Sequence, residues 1–207
     1  NNKHIVNNPI KTVYLFIDEF TNYLDTDIGK DAIVLLTRLN YKIVYLPHEE
    51  SGRAMISQGL LKEAKKVVDK NVNLFKNKVS DKTPLIGIEP SAILSVKDDY
   101  LRLANDRTTA QNIADHCYLI EEFLQNEIKA GHIKADQFTD QKKTIKFHGH
   151  CHQKALINQK SSFDALNLPK NYRVTLIPSG CCGMAGSFGY EKEKYNISMT
   201  IGGNTLF

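Results

Sequence analysis

Two short segments carry most of the residues that could do chemistry. The first is His148-Gly149-His150-Cys151-His152, and the second is the run Ser179-Gly180-Cys181-Cys182-Gly183-Met184-Ala185-Gly186-Ser187-Phe188-Gly189. Together they offer three thiols and the imidazoles of His148, His150 and His152. Thiolates are soft ligands suited to iron–sulfur clusters and zinc, and backbone N–H groups around the sulfurs tune a cluster's potential. Gly180, Gly183 and Gly186 would let backbone approach such a group closely.

Other chemistries compete for the same residues. Cys181 and Cys182 could be small buried hydrophobes, although adjacent cysteines in a loop with four glycines make an unusual core. A redox dithiol would leave Cys151 and the histidines without a role. Zinc held by Cys151, one of the vicinal pair and His150 or His152 satisfies the ligand rules. A cluster takes neighbouring thiolates more easily than one tetrahedral ion does, because several irons share the ligands, and it is the favoured reading. The spacing Gly183-x-x-Gly186-x-x-Gly189 also resembles a phosphate cradle, but it departs from the dinucleotide fingerprint and lacks an obvious acidic ribose partner. The histidines suit hydrogen bonding as well as ligation. Cys117 falls on an apolar helical stripe and reads as core, and Lys62, Lys65 and Lys66 read as a solvated face.

The elements that must position these groups alternate strand and helix. Apolar runs at residues 13–17, 43–46 and 85–88 read as buried parallel strands, with amphipathic helices at residues 28–39 and 60–75 between them. Residues 92–132 read as helical, with Ile113, Cys117, Ile120 and Leu124 on one stripe. Strands at residues 144–147 and 174–177 then flank a helix from residue 152, and a last helix starts near Tyr190. The expected fold class is α/β: two similar strand–helix repeats with parallel sheets and crossover helices. Ligands in such sheets bind at the carboxyl ends of the strands, which is where both segments fall.

The first strands of the two halves begin at Val13 and Thr144, and the second strands at Ile43 and Val174. Both pairs share one offset, as expected of one unit used twice. The expected division is residues 1–12 as a linker or cut end, 13–91 as the first repeat, 92–143 as a helical connection and 144–207 as the second repeat. That second repeat is read as truncated, its third strand falling just past Phe207.

Composition narrows the setting. The chain has 207 residues, 42% apolar and 24% charged, enough for a real core and unlike a disordered tail. A net charge of +4 is too mild to argue for nucleic acid. Four cysteines are too few for a disulfide scaffold, and no stretch suits direct membrane insertion or secretion. A reducing cytoplasmic setting is expected, peripheral to the membrane at most through partners.

Cys151 stands alone after one strand, and Cys181-Cys182-Gly183 follows the next, a pattern that resembles the cysteine-rich CCG domain. That family includes the B subunit of heterodisulfide reductase and the iron–sulfur subunits of glycolate and lactate oxidases. Residues 87–92 and 181–193 are also similar to the C-terminal part of large bacterial proteins that fuse an FAD-linked oxidase to this module. The resemblance implies an iron–sulfur, 4Fe-4S-type electron-transfer module ligated by Cys151, Cys181 and Cys182, with His148, His150 and His152 as supporting or substitute ligands. It implies a flavin-containing oxidase domain as partner, with FAD held outside these residues, a 2-hydroxy acid as substrate and a further electron acceptor. The alternative is a structural or docking module whose cysteine site holds zinc or nothing.

The family pattern has two CCG repeats, and here the first departs from it. Glu19 stands where the first lone cysteine belongs, Glu50-Ser51-Gly52 where Cys-Cys-Gly belongs, and Ala92 where relatives often carry a further cysteine. The first repeat is therefore expected to hold no cluster. A fourth ligand for the second is expected beyond residue 207.

Overall fold

The computed structural model describes residues 6–186, 188–204 and 206. Residues 1–5 of the expected linker, Ser187 of the glycine-rich loop, and Thr205 and Phe207 lie outside the described residues. The chain divides into two compact units, Asn1–Gln137 and Phe138–Phe207.

The first unit runs β1 (Lys11–Phe16), α1 (Glu19–Tyr23), α2 (Thr26–Arg38), β2 (Tyr41–Val44), α3 (Arg53–Ser57), α4 (Leu61–Phe75), β3 (Leu85–Gly87), α5 (Pro90–Lys97), α6 (Asp99–Leu103), α7 (Arg107–Asp115), β4 (Cys117–Leu119) and α8 (Ile120–Lys129). Its strands form one parallel sheet in the order β2-β1-β3-β4. Helices cover it as parallel pairing requires, since each return to the same edge needs a crossover. Val13, Leu15, Phe16, Leu85, Ile86 and Leu119 are buried from the strands, and Leu36, Val68, Phe75, Ile93 and Phe123 from the helices. α4 buries Ala64, Val68, Asn71, Val72 and Phe75, an i, i+4, i+7, i+8, i+11 face whose one polar member is Asn71.

The stretch from residue 92 to 132 is not wholly helical. Cys117 opens β4 and pairs in register with Leu85, so the stripe drawn through Ile113, Cys117 and Ile120 crosses a helix, a strand and a second helix. A three-residue strand is too short to show a period of two. Cys117 is fully buried, and burial pushes its thiol up to about 12, in keeping with a core residue.

The second unit contains β5 (Lys143–Phe147), α9 (Cys151–Leu156), α10 (Lys160–Leu166), β6 (Tyr172–Leu176) and α11 (Tyr195–Gly203), with 3-10 turns at Phe188–Tyr190 and Lys192–Lys194. β5 and β6 pair in parallel from Lys143↔Tyr172 to Phe147↔Leu176. The helix expected from residue 152 is two helices, broken at residues 157–159. The last helix begins at Tyr195, later than expected, because the two 3-10 turns intervene. No described helix is long and apolar enough to cross a membrane.

Candidate functional site: the carboxyl edges of the two sheets

In the second unit β5 ends at Phe147, and the chain runs through His148 and His150 into α9, whose first residue is Cys151. His150 caps the helix, its Nδ1 accepting the His152 N–H at 3.1 Å. Inside α9, buried Gln153 donates to Ser162 Oγ at 2.6 Å, which ties the helix to α10. The loop after β6 is held against this segment at two points. His148 Nδ1 hydrogen-bonds the Ser179 hydroxyl, and Lys154 Nζ donates to the carbonyls of Ser179 at 3.2 Å and Gly180 at 2.6 Å.

These contacts bring the cysteines together. Cys181 and Cys182 both lie near enough to Cys151 to act on its thiol electrostatically. Cys151 and Cys181 are exposed, and Cys182 is half-buried. The Cys151 thiol is held above its ordinary value, first by desolvation of the sulfur and then by Cys181, with the Lys154 ammonium pulling the other way. Gly183 N–H donates to Cys181 Sγ at 3.3 Å. Desolvation, with help from Lys154, holds His148 below its ordinary value. The rings of His150 and His152 stand edge to face, 6.2 Å apart.

The glycines of the loop differ in what they do. Gly183 has a φ of +89° and packs against α11 so closely that a Cβ there would lie 2.1 Å from the Ser198 carbonyl oxygen. A Cβ on Gly180 or Gly186 would meet nothing within 4 Å. Only Gly183 of these three is required by a close approach. Lys154 was not singled out from the sequence; its place one helical turn after Cys151 is the signal that could have found it.

In the first unit, the segments that follow β1 and β2 are joined by other groups. Glu19 is the first residue of α1, after Asp18, which caps the helix through the Phe20 and Thr21 N–H groups. The Glu19 carboxylate accepts the Ser51 N–H at 2.9 Å and the Ser51 hydroxyl at 2.6 Å. The same hydroxyl accepts the Arg53 N–H at 3.1 Å, and Arg53 is paired with Asp99. Beneath Ser51 the Tyr100 hydroxyl donates to its carbonyl at 3.0 Å, and Asn71 donates to both Tyr100 Oη and the Glu50 carbonyl at 2.9 Å. Glu50 thus enters through its backbone. Beside it Ile17 N–H donates to His48 Nε2 at 3.2 Å while His48 Nδ1 bonds the Glu49 carbonyl at 2.7 Å. That pairing fits a neutral imidazole, and burial lowers His48's affinity for a second proton.

Ala92 is fully buried, and its N–H caps α5 on the Glu89 carboxyl at 2.7 Å. Burial raises Glu89 above its ordinary value. Among the described residues, in either unit, no three His, Cys, Asp or Glu side chains converge in the way one metal ion requires.

Comparison with known proteins finds two dehydrogenase chains and a lactate utilization protein among those to which the chain is similar. The chain is 26% identical to D-2-hydroxyglutarate dehydrogenase of Haemophilus influenzae over 92% of its own length and 19% of that protein. It is 26% identical to the C subunit of anaerobic glycerol-3-phosphate dehydrogenase from Escherichia coli K12, covering 88% of this chain and 46% of that protein. It is 24% identical to lactate utilization protein A of Bacillus subtilis, covering 90% of this chain and 78% of that protein. The chain therefore spans about a fifth of the 2-hydroxyglutarate dehydrogenase and under half of the glycerol-3-phosphate dehydrogenase component. No family model matches the chain, and no solved structure matches it.

Proposed function

We propose that this chain is the iron–sulfur electron-transfer part of a larger dehydrogenase that oxidises a small hydroxy acid, with Cys151, Cys181 and Cys182 as cluster ligands. The observation that carries the reading is the Gly183 N–H on the Cys181 sulfur, with Cys181 and Cys182 near enough to Cys151 to act on its thiol. Soft thiols on separate loops, with a backbone N–H aimed at one sulfur, are the donor set a cluster uses. His148 and Lys154 hold the loop carrying Cys181 and Cys182 beside α9, and the Lys154 ammonium offsets negative charge gathered on the sulfurs. When bound, a cluster would supply one-electron transfer, which these side chains lack.

The two-repeat reading gains support from matched details. β1 begins at Lys11 and β5 at Lys143, while β2 begins at Tyr41 and β6 at Tyr172, so the two offsets agree to within one position. Gly52 and Gly183, separated by the same offset as β2 and β6, both take positive φ, at +77° and +89°. Ile17 bonds His48 in one half, and His148 bonds Ser179 in the other, again at that offset. In the first repeat Glu19 and Ser51 close directly on each other where thiols would face a cluster, and this half serves as framework.

The relatives' names point to the substrate class. 2-Hydroxyglutarate, lactate and glycerol 3-phosphate share a secondary alcohol on a small anionic skeleton, and oxidising it releases two electrons to a flavin or similar acceptor. The flavin domain and the onward acceptor are supplied by other parts of the intact protein or by partner chains. Replacing Cys182 by Ser in the intact protein tests the reading. Substrate-dependent reduction of the primary acceptor should continue while onward electron transfer stops, and undiminished onward transfer would overturn it.

A further inference from the structure

The amino-terminal edge of the β5–β6 sheet carries a feature that electron transfer does not use. A cavity of about 380 Å³ opens there, lined by Lys142, Lys143, Thr144, Lys170, Asn171, Tyr172 and Arg173. Four of the seven lining groups are cationic and none is acidic. Several cations elsewhere find carboxylates, as in Lys11–Glu127, Arg53–Asp99, Lys97–Glu122 and Lys160–Asp164. Among the described residues Lys142, Lys143, Lys170 and Arg173 make no ion pair. Lys143 Nζ instead sits 5.7 Å from the centre of the Tyr172 ring.

The cavity is built from backbone that the sheet fixes. Lys143 pairs with Tyr172 and Thr144 with Arg173 in the parallel register. The Lys143 N–H donates to the Asn171 carbonyl at 3.2 Å, and the Asn171 amide bonds the Asp140 carbonyl, so both rim segments are tied across the opening. The second unit also holds nine Lys and Arg against four Asp and Glu, whereas the first holds 18 against 19. The chain's surplus positive charge therefore belongs to the second unit.

Like charges gathered in one concavity repel one another and focus the field outward, which draws small anions to the opening. The volume falls in the range of small-molecule sites, and the Arg fork, the Thr hydroxyl and the Asn amide add directional hydrogen bonding. The geometry points to a binding site for a small polyanion, a molecule bearing two or more phosphate or carboxylate charges, at the amino-terminal edge of β5 and β6. The five-residue strands set it about 17 Å from the cysteine edge, so the ligand would not touch the thiols.

Calorimetric titration of the full chain at low salt, with inorganic pyrophosphate and separately with citrate, tests the site. At least one should bind with 1:1 stoichiometry; pyrophosphate alone would mark the ligand as phosphate-bearing, and citrate alone as a polycarboxylate. The Lys142→Glu/Lys170→Glu variant, altered outside the strands, should bind about tenfold or more weakly. Should it fail to fold by circular dichroism, Lys142→Gln/Lys170→Gln should fold and show a clear weakening in the same direction. The control Lys62→Glu/Lys66→Glu, on lysines of α4, should bind unchanged. Binding of neither anion would overturn the site, as would equal weakening in the control.

Discussion

The Glu19 carboxylate receives both the backbone N–H and the hydroxyl of Ser51, at 2.9 and 2.6 Å. Glu19 opens α1 just after β1, and Ser51 lies on the loop that follows β2. Two hydrogen bonds thus join these two segments of the first unit. The link is local and needs no metal, so the first unit should fold and persist under chelation.

Removing the acceptor should expose how much this link contributes. Ser51 is fully buried, and in Glu19→Ala its N–H and hydroxyl lose their partner. A buried donor left unsatisfied costs about 1–3 kcal/mol, so urea unfolding should show a loss of about 2 kcal/mol. A loss under about 0.5 kcal/mol would mean that water replaces the carboxylate without penalty.

The floor of the same site makes a second, independent expectation. The Tyr100 hydroxyl joins Asn71 to the Ser51 carbonyl in a fully buried setting. Tyr100→Phe keeps the ring's packing but removes one of the Asn71 amide's two acceptors and the donor to the Ser51 carbonyl, and should cost about 1–2 kcal/mol. Thermal melts of this variant and of Asn71→Ala, alone and combined, should show non-additive losses, since the groups form one network.

Stability should fall in acid through Glu127. Burial alone would raise its pKa, but hydrogen bonds from Lys11, Tyr41 and His132 together outweigh that and hold it below its ordinary value of 4.5. A carboxyl lowered by folding contributes stability that is fully present above its unfolded pKa. That contribution is lost as pH falls through the folded value. Glu127→Gln should therefore lower stability at pH 7 by about 2 kcal/mol and flatten the decline below pH 4.5. An unchanged acid limb in chemical-denaturation curves would show that other carboxyls govern it.

Gly183→Ala tests the backbone of the cysteine loop. The residue has φ +89°, and a Cβ would be driven into the Ser198 carbonyl of α11. Left-handed strain alone costs roughly 1–2 kcal/mol, and the clash adds to it. The variant should lose iron retention and show local loosening around residues 179–189 by hydrogen exchange, while Gly180→Ala, with open space around its Cβ, should behave as wild type. Equal behaviour of the two would contradict the role assigned to Gly183.

Much of the frame was legible because short apolar runs fall on parallel strands, although β3 is wholly buried and β5 and β6 are largely exposed. Leu85 opens both the expected and the observed third strand, and α4 spans almost the residues its stripe marked. β4 was not legible, since three residues between two helices carry no period and its place beside β3 is a tertiary fact. The thiols of the second unit could be named from their types and spacing, but not the bonds of Lys154 to the opposite loop. In the first unit the alignment of repeats pointed to Glu19 and Ser51, yet only folding shows that they bond each other. Asn71 left one trace, a polar residue on the apolar face of α4, and its partner Tyr100 left none, while Glu50, marked by the alignment of repeats, enters through its backbone carbonyl.

The central claim is that Cys151, Cys181 and Cys182 hold an iron–sulfur cluster, and metal and sulfide content tests it most directly. Iron, acid-labile sulfide and zinc would be measured on the intact protein purified without oxygen, beside a variant with these three cysteines replaced by serine. Iron and sulfide are expected in matching stoichiometric amounts, beyond any held elsewhere in the protein, with loss of that increment in the variant. Zinc alone in the wild type, or identical iron and sulfide in both proteins, would contradict the claim.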